Sequence, residues 1–229
     1  MHPMTRTLVP LLLIVCGTLA GFFGYRSLHR ATLIPVASQP PAPAAPAAPA
    51  AAPAIPDTLP DVRVPDLTGR SRSLSEFRGL PLVVNFWATW CAPCRREMPL
   101  LQSLWQQHPA NLQIVGIAID SRDAVQQYLH VTPVGYPILA DTDQGSAAIS
   151  ALGIDPVLPI SVFADPHGRI VTVKLGELHR DEADAILSAV QQVSLGRESV
   201  PDARKQLADE LHQLAVQRAK QAAQPLAGP

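Results

Sequence analysis

The chain is poor in cysteine, in aromatic residues and in net charge. Its 229 residues include only 3 cysteines and 5 % aromatic residues, and the formal net charge is −1. Three cysteines are too few for a small scaffold held together by several disulfides. A charge so close to zero creates no strong field toward nucleic acid, so we predict no nucleic-acid partner. The length accommodates one ordinary domain with appendages.

An apolar segment without charged residues, Leu8 to Tyr25, lies near the amino terminus. It is almost as long as the ~20 residues that a membrane-spanning helix needs. It also exceeds the ~7–15 apolar residues of a cleaved signal peptide. We therefore predict a transmembrane anchor, or an uncleaved signal, over residues 1–30, while Thr18–Ala20 offers a weak cleavage site. Arg6 before the segment, and Arg26 and Arg30 after it, do not fix its orientation.

Proline and alanine dominate the segment from Pro35 to Pro56. Proline prevents regular helical hydrogen bonding and favours the extended polyproline II form. We therefore predict a linker over residues 31–60, in which the segment Pro35–Pro56 reaches up to ~70 Å at ~3.1 Å per residue. The globular domain then covers residues 61–195, and residues 196–229 form a C-terminal helical extension.

Strands and helices alternate through the predicted domain. The apolar run Leu82–Trp87, with Asn85 as its one polar residue, is typical of a strand buried on both faces of a sheet. The other predicted strands are Val62–Val64, Arg70–Leu74, Gln113–Ile119, Pro137–Leu139, Ile160–Ala164 and Ile170–Leu175. The predicted helices are Ala92–Gln107 (bent at Pro99), a Ser121-capped helix to His130, Gln144–Leu152 and Arg180–Val193. This order predicts an α/β fold in which helices cover a sheet.

A further helix is predicted over Ala203–Ala223, where Leu207, Leu211 and Leu214 recur at helical spacing. These three leucines would form an apolar stripe on one face of the helix. The helix either binds a partner through this stripe or packs weakly at the end of the chain, and the sequence leaves both possibilities open.

Cys91 and Cys94 form a C-x-x-C pair that follows the strand Leu82–Trp87 and opens the next helix, whereas Cys16 lies far upstream. The free amides and the dipole of a helix N-terminus stabilise a thiolate, which is the nucleophilic form of cysteine. We therefore predict that Cys91 is the exposed attacking thiol and that Cys94, one turn further, is the resolving thiol. Pro93 restricts the backbone between them.

The same spacing also occurs in zinc sites, which need four ligands. The sequence has no second C-x-x-C, and its 7 histidines are scattered. We therefore predict no metal site. Thiol–disulfide exchange requires no organic cofactor, so none is predicted.

The stretch Gly79–Pro99 (GLPLVVNFWATWCAPCRREMP) closely resembles the membrane-anchored thioredoxin-like reductases of the TlpA/ResA/DsbE (CcmG) group. Val115–Asp120, Tyr136–Asp141 and Leu158–Gly168 resemble later segments of that group, so the similarity covers about Asp61 to Val193. The resemblance implies a thioredoxin-like fold with a central mixed sheet flanked by helices, and an N-terminal membrane anchor. It also implies thiol–disulfide oxidoreductase activity carried by the cysteine pair.

The resemblance assigns supporting roles around that pair. Trp90 matches the tryptophan that flanks the redox site, and Pro159 lies where the family has a cis-proline beside the disulfide. Glu97 matches a glutamate that lines the active-site cavity and tunes thiol acidity in ResA-like members. The alternative for Glu97 is a solvated helix residue beside Arg95 and Arg96.

Two positions depart from related patterns. Asn85 stands where ordinary thioredoxins carry a buried aspartate, and an amide cannot titrate. Either Glu97 or solvent must then handle the proton of the resolving thiol. Ile160 and Ser161 replace the threonine-rich sequence often seen after the cis-proline, which leaves the substrate preference open.

The function predicted on these grounds is disulfide reduction at the bacterial inner membrane, by a single-pass protein whose redox domain faces the periplasm, where disulfides form. The partners would be protein disulfide clients, for example in cytochrome c maturation or copper-site assembly, and a membrane thiol electron donor. One alternative is a non-enzymatic copper carrier on the same fold. Sco-type carriers use C-x-x-x-C and a distant histidine, whose place Pro159 takes here. A peroxidase of the peroxiredoxin group is a weaker alternative, because those enzymes lack the W-C-x-x-C arrangement.

Overall fold

The computed structural model describes residues 55–223, which contain two sheets and the helices around them. The strands are β1 (Arg63–Pro65), β2 (Ser71–Ser73), β3 (Leu82–Trp87), β4 (Gln113–Ala118), β5 (Ile138–Ala140), β6 (Ile160–Ala164) and β7 (Ile170–Leu175). The helices are α1 (Ala92–Gln107), α2 (Arg122–Val131), α3 (Thr142–Ser150), α4 (Arg180–Ser194) and α5 (Val200–Ala222), and a 3₁₀ turn covers Leu74–Phe77.

The main sheet has five strands in the order β5-β4-β3-β6-β7. β3 pairs with β4 in parallel and with β6 in antiparallel orientation, so the sheet is mixed as predicted. β1 and β2 form a separate antiparallel hairpin. At the β7 edge, the Ile170 amide donates to the Asp57 carbonyl (2.8 Å), and the Arg204 guanidinium donates to the Ile170 carbonyl (2.7 Å). The first described residues and the last helix therefore meet at the beginning of β7.

The alternating side chains of the central strand divide the core into two layers. Val83 and Trp87 point to the layer that is covered by α1, α4 and the first half of α5. Val84 and Phe86 point to the other layer, which contains α3 and the hairpin. Successive residues of a strand face opposite sides, and all six residues of β3 are buried. The continuous apolar run in the sequence follows from this burial on both faces.

Helix starts differ from the predicted ones where a capping residue was overlooked. α3 begins at Thr142 rather than Gln144, because the Asp141 side chain accepts a hydrogen bond from the Gln144 amide and caps the helix. α5 begins at Val200 rather than Ala203, because Ser199 caps it and Pro201 is tolerated in a first helical turn.

The C-terminal helix is anchored at its beginning. Ala203 and Leu207 of α5 are buried in the same core layer as α4, and Leu211 packs against that layer. Arg218 of α5 forms ion pairs with Asp181 and Glu182 of α4. Leu207 and Leu211 of the predicted apolar stripe are therefore used for packing within the chain.

The predicted anchor (residues 1–30) and most of the predicted linker (31–60) lie outside the described residues. Among residues 55–223, no helix combines the length and apolar character needed to cross a bilayer.

Candidate redox site

The two cysteines form a disulfide at the start of α1, with a Cα–Cα distance of 5.3 Å. Cys91 is the N-cap of α1, and its sulfur accepts a hydrogen bond from the Cys94 amide (3.3 Å). Cys91 is 6 % exposed and Cys94 is fully buried, at 0 %. Cys91 is therefore nearly buried, not exposed as predicted, although it remains the more accessible residue of the pair. The amides of the first turn also favour negative charge on Cys91 once the disulfide is reduced.

Trp90 and Pro93 are the neighbours of the two cysteines in the sequence. Trp90 is 68 % exposed, which is unusual for a large apolar side chain and leaves its ring available to a bound partner. Pro93 lies in the first turn of α1, where the amide that proline lacks has no helical partner to lose.

The Leu158–Pro159 peptide bond is cis. Ile160, the next residue, pairs with Phe86 near the end of β3, so Pro159 lies at the end of the sheet from which the chain continues to Cys91. The Pro159 carbonyl accepts a hydrogen bond from the amide of Gly176 (2.9 Å). Gly176 has φ = 79°, a backbone conformation that favours glycine.

Glu97 is buried, at 1 % exposure, and both of its carboxyl oxygens accept hydrogen bonds. Oε1 accepts from Asn85 Nδ2 (2.7 Å) and Oε2 accepts from the Leu178 amide (2.8 Å). Asn85 Nδ2 also donates to Ser161 Oγ (3.0 Å). The interpretation of Glu97 as a solvated helix residue is therefore wrong, since Glu97 faces the sheet while Arg95 and Arg96 are exposed.

Burial raises the pKa of Glu97 from its ordinary value of 4.5 to about 7. The hydrogen bonds from Leu178 and Asn85 act in the opposite direction, because they stabilise the carboxylate. The charge of Glu177 also raises the pKa of Glu97, and the charge of Lys174 lowers it. Near neutral pH, Glu97 can therefore both accept and release a proton.

The residues that follow β7 tie the redox helix to the proline loop. Arg96 Nε donates to Glu177 Oε2 (3.0 Å). One residue further along each segment, the Leu178 amide donates to Glu97 Oε2. Gly176, one residue earlier, bonds the Pro159 carbonyl. Three consecutive residues thus contact both the redox helix and the proline loop.

A pocket of about 470 Å³ opens beside the redox helix and is lined by Ala92, Arg95, Arg96, Tyr128 and Thr132. Within residues 55–223, no group of three or more His, Cys, Asp or Glu side chains is arranged to hold a metal ion.

Ser161 and Leu178 were missed as contributors to the site. A signal for Ser161 was present, because it is the only polar residue of the apolar strand Ile160–Ala164, as Asn85 is in Leu82–Trp87. The structure pairs these two residues across neighbouring strands. Leu178 contributes through its backbone amide, which leaves no mark in the sequence.

Known proteins share both the sequence and the fold of this chain. The model of the AhpC/TSA family matches residues 55–173, just over half of the chain. The thiol–disulfide oxidoreductase ResA of Bacillus thuringiensis is 29 % identical over 133 residues, which are 57 % of this chain and 75 % of that protein.

Two solved structures superpose with a TM-score of 0.52 each. MTB dsbF, solved in its mixed oxidized and reduced forms, is 30 % identical and matches 59 % of this chain and 98 % of that chain. A thiol:disulfide interchange protein of the thioredoxin family from Chlorobium tepidum TLS is 27 % identical and matches 60 % of this chain and 97 % of that chain. The predicted thioredoxin-like fold, with a mixed central sheet and flanking helices, is thereby confirmed.

Proposed function

The chain belongs to the AhpC/TSA family and is a thioredoxin-like thiol–disulfide oxidoreductase, and from this premise we propose that it reduces disulfides of protein clients through Cys91 and Cys94. The observation that carries the proposal is the cysteine pair itself. Cys91 caps a helix N-terminus and is the less buried residue of the pair, while Cys94 is fully buried one turn further along the helix.

The proposed reaction has two exchange steps. The thiolate of Cys91 attacks one sulfur of a client disulfide, which forms a mixed disulfide and releases the other client sulfur as a thiolate. Cys94 then loses its proton and attacks Cys91, so that the client leaves as a dithiol and the Cys91–Cys94 disulfide forms. Two electrons have passed to the client, and a membrane thiol donor returns two electrons to the protein.

We propose that Glu97, one helical turn further along α1, accepts the proton that Cys94 loses. Asn85 cannot take this role, because an amide does not titrate. Burial holds the pKa of Glu97 at about 7, so the carboxylate can accept the proton and release it in the same pH range. Trp90 and the cis-proline Pro159 would border the pair and contact the client.

The proposal places the protein at the bacterial inner membrane. Residues 1–30 would form a single-pass anchor or uncleaved signal, and residues 31–60 a linker. Residues 61–195 would form the redox domain, facing the periplasm, and residues 196–229 a C-terminal extension. The clients would include proteins of cytochrome c maturation or copper-site assembly. The support is the charge-free segment Leu8–Tyr25 together with the likeness to ResA.

The test is a redox equilibrium. The full chain, carrying Cys16→Ser so that only one thiol pair responds, is equilibrated with thiol–disulfide buffers, and the oxidised fraction is measured by thiol alkylation. A potential near ~−270 mV, or well below ~−200 mV, supports a reductase. A value near ~−120 mV marks an oxidant and contradicts the proposed direction of electron flow. The same protein reduced with an excess of dithiol defines the signal of two free thiols, and the variant that also lacks Cys91 and Cys94 defines the background.

A further inference from the structure

The hydrogen bonds around Glu97 suit the ionised carboxylate. Both oxygens accept from N–H donors, Asn85 Nδ2 at 2.7 Å and the Leu178 amide at 2.8 Å. A protonated carboxyl also has an O–H group, which needs an acceptor when it is buried. The Leu178 amide can only donate. The carbonyl oxygen of Asn85, Oδ1, is buried and has no hydrogen-bond partner among the described residues.

Rotation of the Asn85 amide by a half-turn would exchange its nitrogen and its oxygen. Nδ2 at present donates one hydrogen to Glu97 and one to Ser161. After rotation, Oδ1 would occupy that place and could accept from both groups, because a carbonyl oxygen has two lone pairs. The number of hydrogen bonds is the same in both orientations, and one amide atom is left without a partner in each.

Ser161 makes this exchange possible. Its hydroxyl now accepts from Asn85, and a hydroxyl can also donate. Ser161 is buried and directly opposite Asn85 in the β3–β6 register, so the two side chains stay together in either orientation. An apolar residue at this position would leave one amide hydrogen or one lone pair of Asn85 unused.

We propose that Asn85 and Ser161 are positioning residues that act as a reversible hydrogen-bond adaptor, matching the buried Glu97 carboxyl in both its ionised and its protonated form. The proposal rests on the assignment of Glu97 as the proton acceptor of Cys94. The proton leaves the Cys94 thiol and binds a Glu97 oxygen, Asn85 rotates, and Ser161 changes from acceptor to donor. No electron passes through the adaptor.

Other charged and titratable groups face Glu97 as well. Lys174 of β7 favours its carboxylate, and Glu177, in the loop after β7, favours its protonated form. Burial raises the pKa of the Tyr136 hydroxyl, which lies ahead of β5, and the charge of Glu97 raises it further. Glu177 and Lys174 adjust the pKa of Glu97, which burial raises, whereas Asn85 and Ser161 supply the hydrogen bonds of the carboxyl group in both protonation states.

The first experiment uses the oxidised full chain with ¹⁵N only in asparagine. The sequence has two asparagines, Asn85 and the exposed Asn111, so two side-chain amides are observed and one is an internal control. Between pH 5 and pH 9, the chemical shifts of the Asn85 side-chain amide are expected to change with the same midpoint as the infrared band of the Glu97 carboxyl group. Glu97→Gln removes that band and thereby identifies it. A stationary Asn85 amide, or a different midpoint, overturns the proposal.

The second experiment asks whether the hydroxyl of Ser161 is responsible. In Ser161→Ala, an amide hydrogen of Asn85 loses its acceptor when Glu97 is ionised, so we expect the midpoint of the Glu97 band to rise by about 1 pH unit. Ser161→Thr keeps a hydroxyl and is expected to restore the original midpoint. Ser73→Ala removes a buried serine next to Leu74, which belongs to the other core layer, and controls for lost stability alone.

An unchanged midpoint in Ser161→Ala, or a threonine variant that behaves like alanine, would show that the hydroxyl has no part in the titration. Both experiments observe a carboxyl and an amide of the oxidised protein. Their outcome is therefore independent of the measured redox potential, and a failure of the reductase assignment can be told from a failure of the adaptor.

Discussion

Replacing Glu97 by glutamine should change how the stability of the oxidised protein depends on pH. The pKa of Glu97 is about 7 in the folded chain, against an ordinary value of 4.5, so folding favours the protonated acid. The contribution of Glu97 to stability is therefore complete below about pH 4.5 and is lost as the pH rises through about 7. The difference between the two values corresponds to about 3 kcal/mol of unfolding free energy.

Glutamine has the size of glutamate but stays neutral. The variant does not undergo this loss, so its unfolding free energy relative to wild type should rise by about 3 kcal/mol between pH 4.5 and pH 8. Below pH 4.5 the variant should be slightly less stable, because the rotated Asn85 amide can accept only one of the two hydrogens of the glutamine NH₂ group and the other is left buried. One unsatisfied buried donor costs about 1–3 kcal/mol.

Denaturant unfolding of the oxidised full chain at a series of pH values measures this difference. Glu210→Gln, at an exposed position of α5, is the matched control and should run parallel to wild type at every pH. A Glu97→Gln curve that is also parallel to wild type would refute the reasoning. Glu97 would then titrate at the same pH in the folded and the unfolded chain.

Three further outcomes are expected. The Cys94→Ser variant should accumulate a mixed disulfide with a client peptide through Cys91, detectable by mass spectrometry, and adding Cys91→Ser should abolish it. Leu207→Ala should lower the unfolding free energy by about 2–4 kcal/mol, because Leu207 is buried between α5 and the core; an effect below 1 kcal/mol would mean that α5 is not docked. Asp165→Ala should cost about 3 kcal/mol in the same assay, because the buried carboxylate binds the His167 amide (3.0 Å) and the Arg169 side chain (2.7 Å); an exposed substitution such as Asp209→Ala should be neutral.

Much of the fold could be predicted because its signals are local. β3, β6 and β7 have the predicted bounds, since apolar runs and an Asp-Pro-His-Gly turn mark them directly. The start of α3 was missed by two residues, because its signal is a single capping side chain, Asp141, rather than a periodic pattern. Capping depends on one hydrogen bond, and a short polar residue before a helix is common in ordinary loops as well.

The site was predictable only as far as it is contiguous in the sequence. Cys91, Pro93 and Cys94 share one turn of α1, so their proximity follows from their spacing. The pairing of Asn85 with Ser161, 76 positions apart, depends on the register of β3 against β6, which no local pattern fixes. The burial of Glu97 likewise depends on the segment after β7 closing over α1.

The position at which the chain enters the sheet has a consequence for access. The amide of Ile170, at the beginning of β7, donates a hydrogen bond to the carbonyl of Asp57. Ile170 pairs with Ala164, which in turn pairs with Leu82 at the beginning of β3, so Asp57 lies at that end of the sheet. Cys91 follows the opposite end of β3, six residues or roughly 20 Å away along the strand. The first described residues therefore join the domain at the end of the sheet opposite the cysteine pair. A bulky client that docks on Cys91 approaches the domain from the end of the sheet that is opposite Asp57.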